Sequence, residues 1–187
     1  HRYSSAASDV YKRQDQLTIE KIPDNKKIKV SKFTYAIGNL VIFSKTRADD
    51  EDKFENILLK RFSNKIVIAN PKFSPYGRAS KQVLESLGML SLFENKIILA
   101  SNINQVSSFI YSGNVELGVI SNSDKIKLKK YELGYFKEIP QNLYTQIKQD
   151  AILLKNAKKN QKSKLFFNFL KSNDCLLYTS PSPRDIS

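Results

Sequence analysis

Between residues 39 and 121 the apolar positions fall into two alternating rhythms. Four short runs rich in β-branched residues have the length and composition of buried strands: "NLVIFS" (Asn39–Ser44), "KIVIAN" (Lys65–Asn70), "KIILA" (Lys96–Ala100) and "ELGVIS" (Glu116–Ser121). Between them the spacing stretches to that of a helix. In "DDEDKFENILLKRF", Phe54, Ile57, Leu58 and Phe62 share one face, with Asp49 or Asp50 as the N-cap. "GRASKQVLESLG" places Ala79, Val83, Leu84 and Leu87 together and stops at Gly88; "NQVSSFIYSG" does the same with Val106, Phe109 and Ile110 and stops at Gly113. Strand and helix in turn, joined by short links, predict a parallel α/β layer.

Outside this block the pattern weakens. After Asp124 the chain is basic and loosely patterned until "DAILLK" (Asp150–Lys155), which predicts a further strand. "SKLFFNFLKS" predicts an amphipathic helix through Leu165, Phe166, Phe169 and Leu170. Before Phe33 the chain is polar and irregular, and it reads as a connection whose upstream partner is missing. There is no internal repeat, and no apolar run approaches the ~20 residues of a membrane span.

The two ends need a different explanation. "SSAASDVYKRQ" (4–14) has no apolar face, cap or turn signal, yet one legal codon choice spells a transposase-type sequencing adapter ending in AGATGTGTATAAGAGACAG. The reverse complement of that element encodes Cys-Leu-Leu-Tyr-Thr-Ser, which is Cys175–Ser180. Residues 1–14 and 174–187 are therefore expected to be translated adapter DNA flanking a truncated gene, and they are set aside from functional reasoning.

This matters for chemistry, because His1 and Cys175 are the only His and Cys and there is no Trp. Residues 15–173 then offer no thiol, no imidazole and no His/Cys metal site. Catalysis is not expected. The net charge of +13 is compatible with nucleic acid, anionic lipid or an anionic ligand. Only "KLKK" (Lys127–Lys130) and "KNAKKNQKSK" (Lys155–Lys164) are dense, and both read as solvated surface. No aromatic-basic interleaving marks an RNA-binding module, so no nucleic-acid partner is expected.

In an α/β layer, ligands bind beyond the carboxyl ends of the strands, where helices begin. Two joints stand out. In "ANPKFSPYGRAS", Pro75 suits the first helical position and the amides of Tyr76 and Gly77 follow at the positive end of the helix dipole. In "ASNINQVSS", Asn102 can cap a helix that presents the amides of Ile103 and Asn104. Two such starts make an oxyanion site a candidate, with turn chemistry and capping as the plain alternative for Ser74, Gly77 and Asn102.

"FTYAIGNLVIFSK", "IVIANPKFSPYGRASKQVLESLG", "ASNINQVSSFIYSGNVELGVIS", "LYTQIKQDAILLK" and "FFNFLKS" together resemble, in order and spacing, the periplasmic molybdate-binding proteins of bacterial ABC uptake systems, from about Phe33 to Asn173. The resemblance implies an α/β periplasmic-binding-protein-like fold of two lobes, one essentially complete and the other partial. It divides the chain into an adapter-derived tail (1–14), a remnant of the first lobe and hinge (15–38), the second lobe (39–125), the return hinge with the C-terminal part of the first lobe (126–173) and a second tail (174–187). It implies a solute-binding component that captures molybdate or tungstate through neutral donors, principally the amides of Tyr76 and Ile103, with Gly77, Asn104 and Ser121 as further contacts. Some members place a Tyr where this chain has Ser121.

Also implied are a membrane permease and an ATPase as partners, a monomer, no cofactor and no directly bound metal cation. The location would be periplasmic, or lipid-anchored outside a Gram-positive cell, with the signal peptide missing from this fragment. Alternatives are the same fold with another anion such as sulfate or phosphate, or the effector-binding domain of a transcription regulator. With first-lobe donors absent, molybdate binding by this chain is expected to be weak.

Overall fold

The computed structural model describes residues 11–15, 27–46, 53–60, 65–154, 157 and 160–172. In chain order they form β1 (Tyr11–Asp15), β2 (Lys27–Gly38), β3 (Leu40–Ser44), α1 (Phe54–Lys60), β4 (Ile66–Ala69), α2 (Pro75–Ser86), α3 (Leu90–Phe93), β5 (Ile97–Ala100), α4 (Ile103–Tyr111), β6 (Leu117–Ser121), α5 (Asn122–Lys129), β7 (Tyr135–Glu138), a 3-10 turn (Gln141–Leu143), β8 (Ile147–Leu154) and α6 (Gln161–Lys171). The expected cap at Asp49 or Asp50 and the expected contact of Phe62 lie outside the described residues. The chain divides into two compact units, one of His1–Ile37 with Ile147–Ser187 and one of Gly38–Gln146.

The Gly38–Gln146 unit is built on a sheet of order β5-β4-β6-β3-β7. β4 runs parallel to both β5 and β6, whereas β3 is antiparallel to β6 and β7. The sheet is therefore mixed rather than wholly parallel. Strand sense leaves no mark on a hydrophobic run that is buried on both faces, as all five residues of β3 are.

Along β4, Val67 and Ala69 join Val106 and Ile110 of α4, with Val41, Phe43, Ala100, Val115, Ile120 and Leu128, in one apolar cluster. With a period of two, Ile66 and Ile68 point to the other face and are buried there. α2 packs on β4, β3 and β6 and supplies none of that cluster, so it covers the opposite face through Ala79, Val83 and Leu84. Gly118 lets α4 seat closely, since a Cβ there would stand 2.9 Å from Ile110 Cδ1 and 3.1 Å from Val67 Cγ1.

This unit continues to Gln146, past the boundary expected at 125, because β7 pairs with β3 and the 140–145 segment docks on α2. α5 and β7 were not expected from the pattern. α5 buries only Asp124 and Leu128, and β7 is an edge strand that buries none of its four residues.

The other unit contains the sheet β1-β8-β2 with α6 against it. Its core gathers Tyr35, Ala151, Leu153, Ala157, Phe167 and Leu170, with Phe33 edge-on to Phe167 at a centroid distance of 5.1 Å. The buried stripe of α6 is Ser163, Phe167 and Leu170. The expected stripe was shifted: Leu165 and Phe169 are exposed and Phe166 is on its margin. The run "LFFNFL" contains two overlapping helical registers, and packing on Phe33 and Ala36 selects the one through Phe167.

Asp150 of β8, buried, accepts from Thr34 Oγ1 at 2.6 Å and pairs with Lys32 at 3.1 Å, which offsets the cost of burying its charge. β1 pairs antiparallel with β8, from Tyr11 opposite Leu153 to Asp15 opposite Gln149. Four of its five residues belong to the stretch read as adapter. An open strand edge accepts backbone hydrogen bonds from an adjacent segment irrespective of its side chains.

Candidate functional site

The site is built where β4 and β5 end. Their register pairs Ala69 with Ala100, and one further bond, Asn70 N–H to the Ala100 carbonyl at 2.7 Å, holds the two strand ends together. Asn70 then folds the chain back. Its side-chain oxygen accepts from Lys72 N–H at 2.9 Å, and its carbonyl accepts from Phe73 and Ser74 N–H at 3.1 and 2.9 Å. This Asx-type turn delivers Ser74, in extended conformation, as the N-cap of α2.

Pro75 occupies the first helical position, Tyr76 the second and Gly77 the third. Gly77 N–H donates to Ser74 Oγ at 3.4 Å. Gly77 also has a steric role, because a Cβ there would collide with the Ala69–Asn70 backbone. The first turn of α2 is thus pressed directly onto the end of β4.

After β5, Asn102 caps α4 by accepting from Gln105 N–H at 3.0 Å, and Gln105 Oε1 in return accepts from Ser101 N–H at 2.5 Å. These two bonds tie Gln105 to the cap and to the residue before it and so fix the first turn. Ile103 and Asn104 are its first two residues. Ile103 is anchored by its half-buried side chain against the cluster under α4, while Asn104 is exposed.

The connection after β4 leads to one face of the sheet and the connection after β5 to the other. Adjacent parallel strands whose connections diverge open a crevice at their carboxyl ends. The structure therefore sets the helical turns of Tyr76 and Ile103 after neighbouring parallel strands.

A third helix, α5, starts at the end of β6, on the other side of β4, and it is different. Its N-cap Ser121 is buried, accepts from Asp124 N–H at 3.1 Å and donates to Asp124 Oδ2 at 2.7 Å. Asp124, also buried, pairs with Lys127 at 3.4 Å. The positive end of α5 is thus satisfied by its own carboxylate, which also takes the Ser121 hydroxyl proton.

The first turns of α2 and α4 carry no acidic residue and are capped by neutral side chains. Of the three helix starts, only these two keep a field that attracts an anion. The role of Asp124 was missed from sequence, although "SNSD" has the spacing of a capping motif. Among the described residues, no group of three or more His, Cys, Asp or Glu side chains is placed to hold a metal ion.

A mixed α/β layer with two neutral helix N-termini at a divergent strand pair is an arrangement suited to binding a small anion. The chain belongs to the bacterial extracellular solute-binding protein family, whose model matches residues 4–176.

It is 37% identical over 146 residues to the molybdate-binding protein ModA of Rhodobacter capsulatus, covering 78% of this chain and 56% of that protein. It is 34% identical over 169 residues to ModA of Azotobacter vinelandii, covering 90% of this chain and 67% of that protein. The solved structure of the Azotobacter vinelandii periplasmic molybdate-binding protein superposes with a TM-score of 0.78 at 28% identity, covering 90% of this chain and 74% of that one. The chain spans little more than half the length of the first of these relatives.

Proposed function

We propose that this chain is the solute-binding component of an ABC importer and captures molybdate or tungstate. The observation that carries the reading is the contrast among the three helix starts: α2 and α4 present acid-free, neutrally capped first turns after adjacent parallel strands, and α5 neutralises its own. A tetrahedral dianion fits this donor set. Backbone amides are held by the fold and select by size and geometry, whereas a flexible Lys accepts many anions.

In this reading the amides of Tyr76 and Ile103 donate to the oxyanion and Asn104 sits beside them. Gly77 seats the helix, and Ser121 supports α5. The names and identities of the relatives from Rhodobacter and Azotobacter support the choice of oxyanion. The protein acts as a monomer in the periplasm, needs no cofactor, and passes its ligand to a permease driven by an ATPase.

The test is a two-dimensional amide NMR titration of this chain with molybdate, tungstate, sulfate and phosphate. Shifts of the Tyr76 and Ile103 amides with the two larger anions, and smaller shifts with sulfate and phosphate, are expected. If millimolar molybdate leaves both amides unmoved, the assignment fails. Larger responses to sulfate or phosphate would assign the same site to another anion.

A further inference from the structure

We infer that Gln82 is a positioning residue that locks the chain's return crossing to the helix carrying the candidate site. The chain leaves the Gly38–Gln146 unit at Gln146. The three residues before that point have little regular structure, so their backbone groups need other partners.

Side chains supply them. The Gln82 carboxamide grips Thr145 twice: Oε1 accepts the Thr145 N–H at 2.9 Å and Nε2 donates to Thr145 Oγ1 at 3.2 Å. One helical turn further on, Ser86 Oγ donates to the Leu143 carbonyl at 3.0 Å. Between them the buried Tyr144 hydroxyl accepts from Leu40 N–H at 3.0 Å, which ties the same segment to the start of β3. Gln141 Nε2 adds a bond to the Tyr144 carbonyl at 3.3 Å.

Leu143, Tyr144 and Thr145 are thereby each fixed to the body of this unit, two of them to α2. That helix carries Tyr76 in its first turn at the candidate site and holds Thr145 through Gln82 six positions later, so it acts as a rigid rod between the two. Backbone rotation on the return path is confined to the residues after Thr145, and a small displacement of the first turn of α2 reaches the crossing without slack. Hinges in binding proteins work through a few such residues. The clamp stands on its own geometry, whereas its response to an anion rests on the function proposed above.

Amide hydrogen exchange at Thr145 reads both parts. Gln82→Ala should speed Thr145 exchange about 2- to 10-fold, the range set by losing one ordinary hydrogen bond. The β4 and β5 amides should be unchanged, which separates loss of the clamp from general destabilisation. Gln82→Glu should restore protection, because its carboxylate still accepts the Thr145 N–H. In the unaltered chain, millimolar molybdate should slow Thr145 exchange further, and in Gln82→Ala it should not.

Unchanged Thr145 exchange in Gln82→Ala overturns the clamp. Molybdate that shifts the Tyr76 and Ile103 amides but leaves Thr145 exchange as it was overturns the coupling. Molybdate that shifts none of these amides defeats the functional reading, while the Gln82→Ala comparison still decides the clamp.

Discussion

Replacing Gly77 with Ala tests whether the seating of α2 on β4 fixes the site. The new Cβ would stand 2.7 Å from the Asn70 carbonyl carbon and 2.8 Å from that of Ala69, and nearer still to the Ala69 oxygen. Non-bonded carbons prefer roughly 3.5–4.0 Å, so the gap is short by about 1 Å. The atoms in the way are backbone, held by pairing of β4 with β5 and by the Asn70 bond to Ala100. Helix α2 must therefore yield and carry Tyr76 with it. Overpacking of this kind costs about 1–3 kcal/mol. For a chain of this length each kcal/mol lowers the melting temperature by about 2–4 °C, so a fall of roughly 2–12 °C is expected.

Gly88→Ala is the control. Gly88 has φ +66° and nothing within 4 Å of its virtual Cβ, so the change costs about 1–2 kcal/mol of backbone strain without touching the site. Thermal and urea unfolding followed by circular dichroism give the energies, and the amide shifts of Tyr76 and Ile103 report the site. If Gly77→Ala perturbs those shifts no more than Gly88→Ala does, tight helix seating is not what positions the donors.

Two other substitutions probe the supports around the site. Asn102→Ala removes the cap of α4 and should cost about 1 kcal/mol, with faster exchange of the Gln105 amide as the local signature. Tyr144→Phe leaves the Leu40 N–H buried without its acceptor and should cost about 1–3 kcal/mol in urea unfolding. Burial raises the Tyr144 phenol above its ordinary 10.0, opposed by the hydrogen bond from Leu40 and aided by the charge of Glu138. The neutral phenol therefore contributes stability that is complete below pH 10 and is lost as pH rises through the folded-state value; this alkaline step should be absent in Tyr144→Phe.

The sequence carried the parts of the fold that depend on one residue's neighbours. β4, α2, β5, α4 and β6 are visible because Ile66–Ala69 and Leu117–Ser121 are wholly buried runs and because Val83, Leu84, Val106 and Ile110 keep helical spacing. The two site joints were legible for the same reason, since Pro75 and Asn102 mark helix starts by local chemistry. What failed depends on distant partners. The sense of β3 is set by its pairing with β6 and β7, and β7 exists only as the edge that β3 accepts. The register of α6 is chosen by Phe33 from the opposite end of the chain. The part of β2 before Phe33 reads as an irregular connection, although Ile28 and Val30 alternate with polar residues as in a strand; its place comes from pairing beside β8. Asp124 looked like the edge of a basic stretch; only its burial beside Ser121 reveals a carboxylate spent on its own helix.

The neutrality of the caps at α2 and α4 has a consequence for the conditions under which capture works. Peptide amides, the Ser74 hydroxyl and the Asn102 carboxamide have no proton to gain or lose over the range in which bacteria grow. A site made of these groups does not titrate. Outside the cytoplasmic membrane, acidity follows the surroundings, and a receptor dependent on an imidazole or a carboxylate would gain and lose affinity with every change of medium. On the proposed function, these donors add no acid sensitivity of their own, and capture through them should follow the dianionic fraction of the anion in solution.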